Sequence, residues 1–447
     1  MNSSFDVIII GAGPAGLILA YSLGKNRLKA LLIEQKPMEL IGEKTCGDAL
    51  GFDRTEELKD LIQIEEPNPE VICAILETAH LSSENKFEIS IPFQCRTINR
   101  LKYGQQLLKN IQQFSTVSIL TETKVVEPII TNDKLEGVVI RNKEGKKSKF
   151  YAKIIVDCSG YTAIIRKQLP SNLFPKINQV GREETIVSCR EIIQTKEEHS
   201  FQKQMRIELH PELPPPGYFW IFSKGKKKLN IGVGWLINEQ NKKIKPSVIL
   251  EKIRKKIFPE CTVIKHDTDL LPGRLPLYSM VGDNFIVCGD AAALANPING
   301  EGHGPALISG YYAASTIISA LEREDFSERS LWKYNVEIWK KFGYLGSMGI
   351  AIHKFLKKYP ISDFEYLFTN GIITQEDVNN ILYDLGYKPS IFNKFIKAMK
   401  RPKLMLRLVR MILIARKIEK LCLSYPTEEK DFNKWKRKMV KLELREL

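Results

Sequence analysis

Apolar positions in this chain gather into short runs separated by helix-period stretches. Residues 5–10, Phe-Asp-Val-Ile-Ile-Ile, predict a short buried strand. Gly11-Ala12-Gly13-Pro14-Ala15-Gly16 follows at once, an apolar helical stretch then runs to about Leu23, and a second strand spans 30–33 and closes on Glu34. Residues 71–93 alternate enough to predict antiparallel strands. Residues 99–114 predict a helix with Leu101, Leu107, Leu108 and Ile111 on one side. Strands are expected over 117–126 and 135–141, with a turn at 142–146, and another buried strand ends at Asp157-Cys158-Ser159-Gly160. Residues 185–236 change character to β-structure, with a hairpin of 218–223 and 229–236 about a turn at 224–228. A buried strand at 285–287, a Gly-rich loop, and a helix over about 304–321 follow. Beyond about Gly343 the pattern is helical to the end.

The first unit has the order of a dinucleotide-binding βαβ. Gly11 makes the tight turn, Gly13 admits a pyrophosphate to the backbone, and Gly16 lets helix pack on strand. The helix start, with Pro14 and Ala15, offers free N–H groups and a positive dipole end to phosphate. Glu34 is placed to accept from ribose hydroxyls and disfavours a 2′-phosphate.

The 447 residues allow two or three domains, and 43% hydrophobic with 27% charged residues suits a soluble globular protein. With no apolar run of 18 residues and no export signal, no transmembrane helix is expected and a cytoplasmic location is. Eight cysteines (46, 73, 95, 158, 189, 261, 288 and 422) form no CxxC pair, which argues for free thiols and against zinc or iron–sulfur; no metal is expected. The net charge is +15, and 391–447 carries 17 Lys and Arg against 6 Asp and Glu. Such a run is either a solvated basic face or a partner surface. No nucleic-acid motif accompanies it, so an anionic membrane surface fits better. Residues 401–421 read as a basic amphipathic helix. Leu404, Leu408, Met411, Ala415 and Ile418 form one stripe, with Lys403, Arg407, Arg410 and Lys417 opposite.

Further motifs stand at strand ends. Gly289-Asp290 follows the strand at 285–287, where an aspartate can bond a ribityl or ribose hydroxyl. Asn296-Pro297-Ile298-Asn299-Gly300-Glu301-Gly302-His303-Gly304 then lets backbone approach a flat ring. In this order, and with Arg100 at a helix start, these motifs resemble the para-hydroxybenzoate hydroxylase superfamily of FAD proteins. Lys44-Thr45-Cys46-Gly47-Asp48 and Tyr218-Phe219-Trp220-Ile221-Phe222-Ser223-Lys224-Gly225 resemble, more narrowly, the archaeal geranylgeranyl reductases. Ser223 stands where that family has proline.

The resemblance implies an α/β fold: a Rossmann-type FAD-binding domain, an inserted antiparallel β-sheet substrate domain and a C-terminal helical region. The corresponding segments are 1–70, 95–170 and 272–342; 71–94 and 171–271; and 343–447. It implies FAD held by Gly11, Gly13, Pro14, Ala15, Gly16, Glu34, Gln35, Cys46, Gly47, Asp48, Arg100, Val125, Asp157, Gly160, Gly289, Asp290, Pro297, Gly300, Gly302 and His303. His303 is expected to need no proton transfer. The implied activity is reduction of polyprenyl double bonds by hydride from reduced flavin plus a proton, with Cys46 as the catalytic group or a positioner. Tyr218, Trp220, Phe222 and Gly225 are expected at the substrate. Alternate residues of a strand face one way, so the three aromatics could line a channel; they could equally be an ordinary packing stripe. The implied partners are a prenyl lipid, an external donor (ferredoxin, nicotinamide or deazaflavin) and possible peripheral contact with the inner face of the cell membrane, for a monomeric protein. An aromatic hydroxylase or halogenase, or a flavoprotein passing electrons to membrane quinone, are the competing readings.

Overall fold

Strands that are apolar on both faces need cover on both sides, and the first sheet obtains it from helices. In the computed structural model, which describes residues 4–84, 86–383 and 400–445, this sheet runs Val281–Gly282, Phe285–Val287, Lys147–Asp157, Ser4–Ile10, Ala30–Ile33, Val117–Leu120. The last five are mutually parallel. The hairpin Thr123–Thr131 with Lys134–Asn142 joins its side through Lys147–Asp157. The helices Pro14–Lys25 and His303–Glu322 cross closely because Gly310 has no side chain: a Cβ there would lie 2.3 Å from the Ala15 carbonyl oxygen. The single strand expected over 117–126 is two. Glu122, at φ 51°, turns the chain so that 117–120 joins the parallel sheet and 123–131 the hairpin.

The second sheet runs Thr262–Pro272, Thr185–Gln194, Lys228–Leu236, Gly217–Ser223, Gln204–Glu208, Ile72–Ser83, Phe87–Ile98, Ala49–Gly51. Every neighbouring pair is antiparallel except Gln204–Glu208 with Ile72–Ser83. The sheet therefore takes in Ala49–Gly51 and residues 95–98, which the sequence boundaries had assigned to the nucleotide-binding domain.

Period-2 alternation gives Gly217–Ser223 two different faces. Phe219 and Ile221 enter a core with Leu229, Ile231, Val233, Leu250 and Ile253, the last two on the helix Pro246–Ile257. Burying each such side chain contributes about 1.5–3 kcal/mol. Tyr218, Trp220 and Phe222 point the other way, toward the nucleotide-binding half.

The C-terminal helices share the first sheet's core. Trp339 stacks on Tyr425 at 5.5 Å, and Trp435 meets both rings edge-on. The basic amphipathic helix spans Pro402–Leu423, and its expected stripe is buried. One member of the expected wet face is not there: Arg407 turns to Asp363, at 2.8 Å, and over the Tyr359 ring. Residues 384–399 and 446–447 of the expected helical region lie outside the described residues, and with them part of the basic count.

Candidate functional site

The site lies where the ends of the parallel strands meet the inner face of the second sheet. Gly11 takes φ 99°, and a Cβ on it would lie 2.6 Å from the Cys158 carbonyl oxygen. A Cβ on Gly16 would meet the Gly11 carbonyl oxygen at 2.0 Å, so both positions require glycine. Gly13 has open space within 4 Å, and no side chain caps the helix that begins at Pro14. Glu34 accepts the Ala12 N–H at 2.7 Å and the Lys36 N–H at 2.9 Å, which fixes the acid at the strand end. Gln35 beside it is exposed.

Lys44 reaches Asp290 at 2.7 Å, and this ion pair lifts the Lys44 pKa against the cost of burial. Burial lowers the Lys36 pKa, and the nearby Lys44 and Arg100 add to the fall although Glu34 opposes it. His303 is buried, its Nδ1 has no partner, and burial with Arg100 and Lys44 nearby pushes its pKa well down. The open cradle, uncapped helix start and anchored acid fit a flavin dinucleotide, whose pyrophosphate would be held at Gly13, Pro14 and Ala15, its ribose at Glu34 and its ribityl chain at Asp290.

Two expected contacts take other roles. Asp157 is fully buried, and its oxygens accept from the Ser159 N–H and hydroxyl and from the Ile165 and Arg166 N–H groups. Its carboxyl is spent on shaping the turn at Gly160, so it supports the cradle from behind. Gly225 is a turn residue. At φ 110° it makes the hairpin turn that aims Lys224 inward. Val125 is buried in its hairpin and Arg100 at its helix start; Pro297 is buried in the loop that also holds Gly300 and Gly302.

The inner face of the second sheet meets the loop that carries Cys46. Tyr218, Trp220 and Phe222 form a continuous wall, with ring centres 6.1 and 6.3 Å apart. Two glycines make room for it: a Cβ on Gly232 would lie 2.1 Å from the Trp220 ring, and one on Gly47 2.7 Å from the Phe222 ring. The Tyr218 hydroxyl donates to the Asn299 carbonyl at 2.9 Å, tying the wall to the flavin loop. Burial, with Cys46 close by, pushes the Tyr218 pKa up to about 12, so the hydroxyl stays a donor.

A buried polar network holds the cysteine loop in place. The Trp220 indole N–H donates to Asn230 at 3.0 Å, and the Asn230 amide donates to the Cys46 carbonyl at 2.8 Å and to Asp48 at 3.0 Å. Asp48, at φ 64°, also takes Lys224 at 2.7 Å and Arg190 at 3.3 Å. Arg190 in turn reaches Asp267 and the Lys44 carbonyl. Sequence reasoning missed Asn230, Arg190 and Lys224 because their partners in the cysteine loop lie 142 to 184 residues away. The signal available was a polar or charged side chain in the middle of an apolar strand, as at Arg190 and Asn230.

The descriptions of known families agree with this geometry. Residues 6–168 match the FAD dependent oxidoreductase family, and 185–268 match the geranylgeranyl reductase catalytic domain. The chain is thus an FAD-dependent oxidoreductase. The digeranylgeranylglycerophospholipid reductase of Sulfolobus acidocaldarius is 32% identical over 97% of this chain and 96% of its own length. This chain belongs to the digeranylgeranylglycerophospholipid reductase family. Among solved structures, a geranylgeranyl bacteriochlorophyll reductase-like protein from Thermoplasma acidophilum matches with a TM-score of 0.75 at 21% identity, over 92% of this chain and 99% of that one. The flavin-dependent brominase Bmp2 matches with 0.67 at 20% identity, over 90% and 100%. These two likenesses establish the fold, which reductases and halogenases share.

Proposed function

We propose that the chain saturates carbon–carbon double bonds in the geranylgeranyl chains of ether phospholipid precursors, between the Cys46 loop and the aromatic wall. The observation that carries this reading is the Asn230 bridge, which holds Trp220 and Cys46 to one another at the mouth of the cofactor cradle. FAD, when bound and reduced, would supply the hydride, which the more substituted alkene carbon receives. The residues must orient an apolar chain, exclude water, deliver a proton to the less substituted alkene carbon and steady the positive charge that develops on the other carbon until it takes the hydride.

Trp220 and Phe222 are 7% and 8% exposed, so the wall is dry. Ring faces presented to a developing cation stabilise it by ~1–2 kcal/mol per contact when desolvated. The half-buried Cys46 thiol stands beside Tyr218, where it can hold the substrate or pass the proton. Arg190, Lys224 and Asn230 keep Asp48, and so the loop, at one height above the wall. The reaction consumes a lipid and an external reductant; in this reading the chain works as a monomer at a membrane surface, where such lipids reside.

The test is anaerobic. The purified flavoprotein is reduced with dithionite and given geranylgeranyl ether phospholipids, geranylgeranyl diphosphate and prenyl quinones. A gain of two hydrogens per double bond in the ether phospholipids is expected. Unchanged ether lipids beside reduced quinone would move the substrate to another class.

A further inference from the structure

We propose that the outer face of the helix Pro402–Leu423, with the basic groove beside it, is the surface on which this protein docks to an anionic lipid bilayer. This deepens the prenyl-lipid reading and rests on it only for where the substrate resides.

The helix is apolar on two sides. Leu404, Leu408, Met411, Ala415 and Ile418 are buried, but Leu406 is 53%, Val409 39% and Leu413 53% exposed. These three stand at i, i+3 and i+7, on the side opposite the buried stripe. Of the twelve exposed large hydrophobics among the described residues, four sit on this helix, the fourth being Leu423. Four of the others fall within 244–264, two of them on the helix Pro246–Ile257; what sets Pro402–Leu423 apart is that Leu406, Val409 and Leu413 share one helix face.

Charge surrounds this strip. Arg410, Lys417 and Lys420 interleave with the leucines at helical spacing, and all three are exposed. An open groove between this helix and Phe432–Glu443 is lined by Lys417, Lys420, Lys436, Arg437, Lys441 and Arg445, and by no Asp or Glu among the described residues. None of these six has an ion-pair partner among the described residues.

The face also stands in the right place. The helix Ser347–Lys358 lies directly under Pro402–Leu423, and the same helix covers the flavin loop. A Cβ on Gly349 would lie 2.6 Å from the Ile298 side chain, and one on Gly346 3.2 Å from Pro297. The exposed strip is therefore one helix layer away from the loop that contacts Tyr218.

A bilayer accounts for both halves of the pattern. Leucines enter the acyl boundary while the flanking cations stay among anionic head groups. A second copy of the same face would oppose like charges. An acidic protein would satisfy the lysines and leave the leucine strip without a purpose. No helix among the described residues is long and apolar enough to cross a membrane, so the helix lies on the surface.

The test uses full-length flavoprotein sedimented with vesicles of zwitterionic phospholipid, with and without an anionic phospholipid. Sedimentation is expected only with the anionic vesicles, and weaker as salt is raised. Lys417→Glu with Lys420→Glu should weaken it about tenfold or more. Leu406→Ser with Leu413→Ser should weaken it on the same vesicles. Both double variants should keep wild-type FAD content and wild-type turnover of a detergent-dispersed prenyl lipid. Equal sedimentation on zwitterionic vesicles, an unaffected charge variant, or a wild-type protein that stays in the supernatant overturns the proposal. So does a change in oligomeric state of the leucine variant with vesicle binding intact, which would assign the strip to a second copy. Turnover of dispersed lipid without vesicle binding defeats the docking face and leaves the reductase standing. Vesicle binding as expected with no prenyl lipid reduced defeats the reductase and leaves the docking face standing.

Discussion

The nucleotide cradle and the aromatic wall are built on opposite principles. In the cradle, residues 11–34 supply the turn, the helix start and the acid in unbroken order, and distant residues such as Cys158 and Asp290 only close around them. In the wall, each demand is met from far away. Cys46 is held by Asn230, Asp48 by Arg190 and Lys224, and Tyr218 by Asn299. The cradle binds a cofactor shared by many enzymes and can be local. In the proposed reading the wall holds a reacting chain against that cofactor, so it has to bridge two sheets.

Breaking the cradle should have the largest effect. Gly16→Val forces a side chain against the Gly11 carbonyl, which a Cβ alone would approach to 2.0 Å. A loss of about 3 kcal/mol or more is expected, together with flavin content down at least about tenfold, read from the flavin absorbance per mole of purified chain. A Gly16→Val protein with full flavin would mean the crossing is looser than described.

Breaking the wall should separate binding from chemistry. Asn230→Ala leaves the Trp220 indole N–H, the Cys46 carbonyl and Asp48 each short of a partner, at about 1–3 kcal/mol per buried orphan. Turnover of the prenyl lipid should fall about ten- to a hundredfold, while the flavin spectrum and content stay at wild-type values. Equal losses of flavin and turnover would show that the two regions are not separable.

That difference is also what decided how much was legible in the sequence. Periodicity placed the first two strands and the hairpin of 218–223 with 229–236 within a residue, and the helix between the strands to within two, because those elements follow from local burial. Alternation also predicted that Tyr218, Trp220 and Phe222 share a face, but not which face. That needed the core behind Phe219 and Ile221, whose partners Leu250 and Ile253 come from a helix after the hairpin. Asp157 misled because an acid at a strand end looks the same whether it meets a ribose or four protein hydrogens. The tail helix showed its buried stripe but not its second one, since Leu406 and Leu413 sit among cations in sequence as in space.

The seam between the helical region and the flavin loop offers a smaller test. Burial and the nearby Lys357 push His353, on the helix that covers Pro297, down to about 4. Between about pH 6.5 and pH 4 the unfolded chain takes up a proton that the folded chain refuses. The stability this histidine contributes is therefore complete above about pH 6.5 and is lost as pH falls toward 4. His353→Gln should flatten the fall in unfolding free energy over that window, by up to about 3 kcal/mol relative to wild type, as read from denaturant titrations at each pH. Parallel curves for the two proteins would show that His353 is solvated.

The smallest effect belongs to the departure at Ser223. Its hydroxyl meets Gly225 only at 3.4 Å, whereas the bond from Thr97 goes to its carbonyl and does not depend on the side chain. Ser223→Ala should shift stability by under about 0.5 kcal/mol and leave turnover unchanged, as measured by thermal melting and lipid assay.

The central claim is that the cysteine loop and the aromatic wall reduce the alkene while the cradle only holds the flavin. Single-turnover mass spectrometry tests it most directly, with dithionite-reduced wild type and Cys46→Ser at equal flavin content and one geranylgeranyl ether phospholipid. The account predicts two hydrogens gained per double bond by the wild type, and a rate at least about tenfold lower for the variant. An unchanged lipid with wild type, or equal rates for the two proteins, would contradict it.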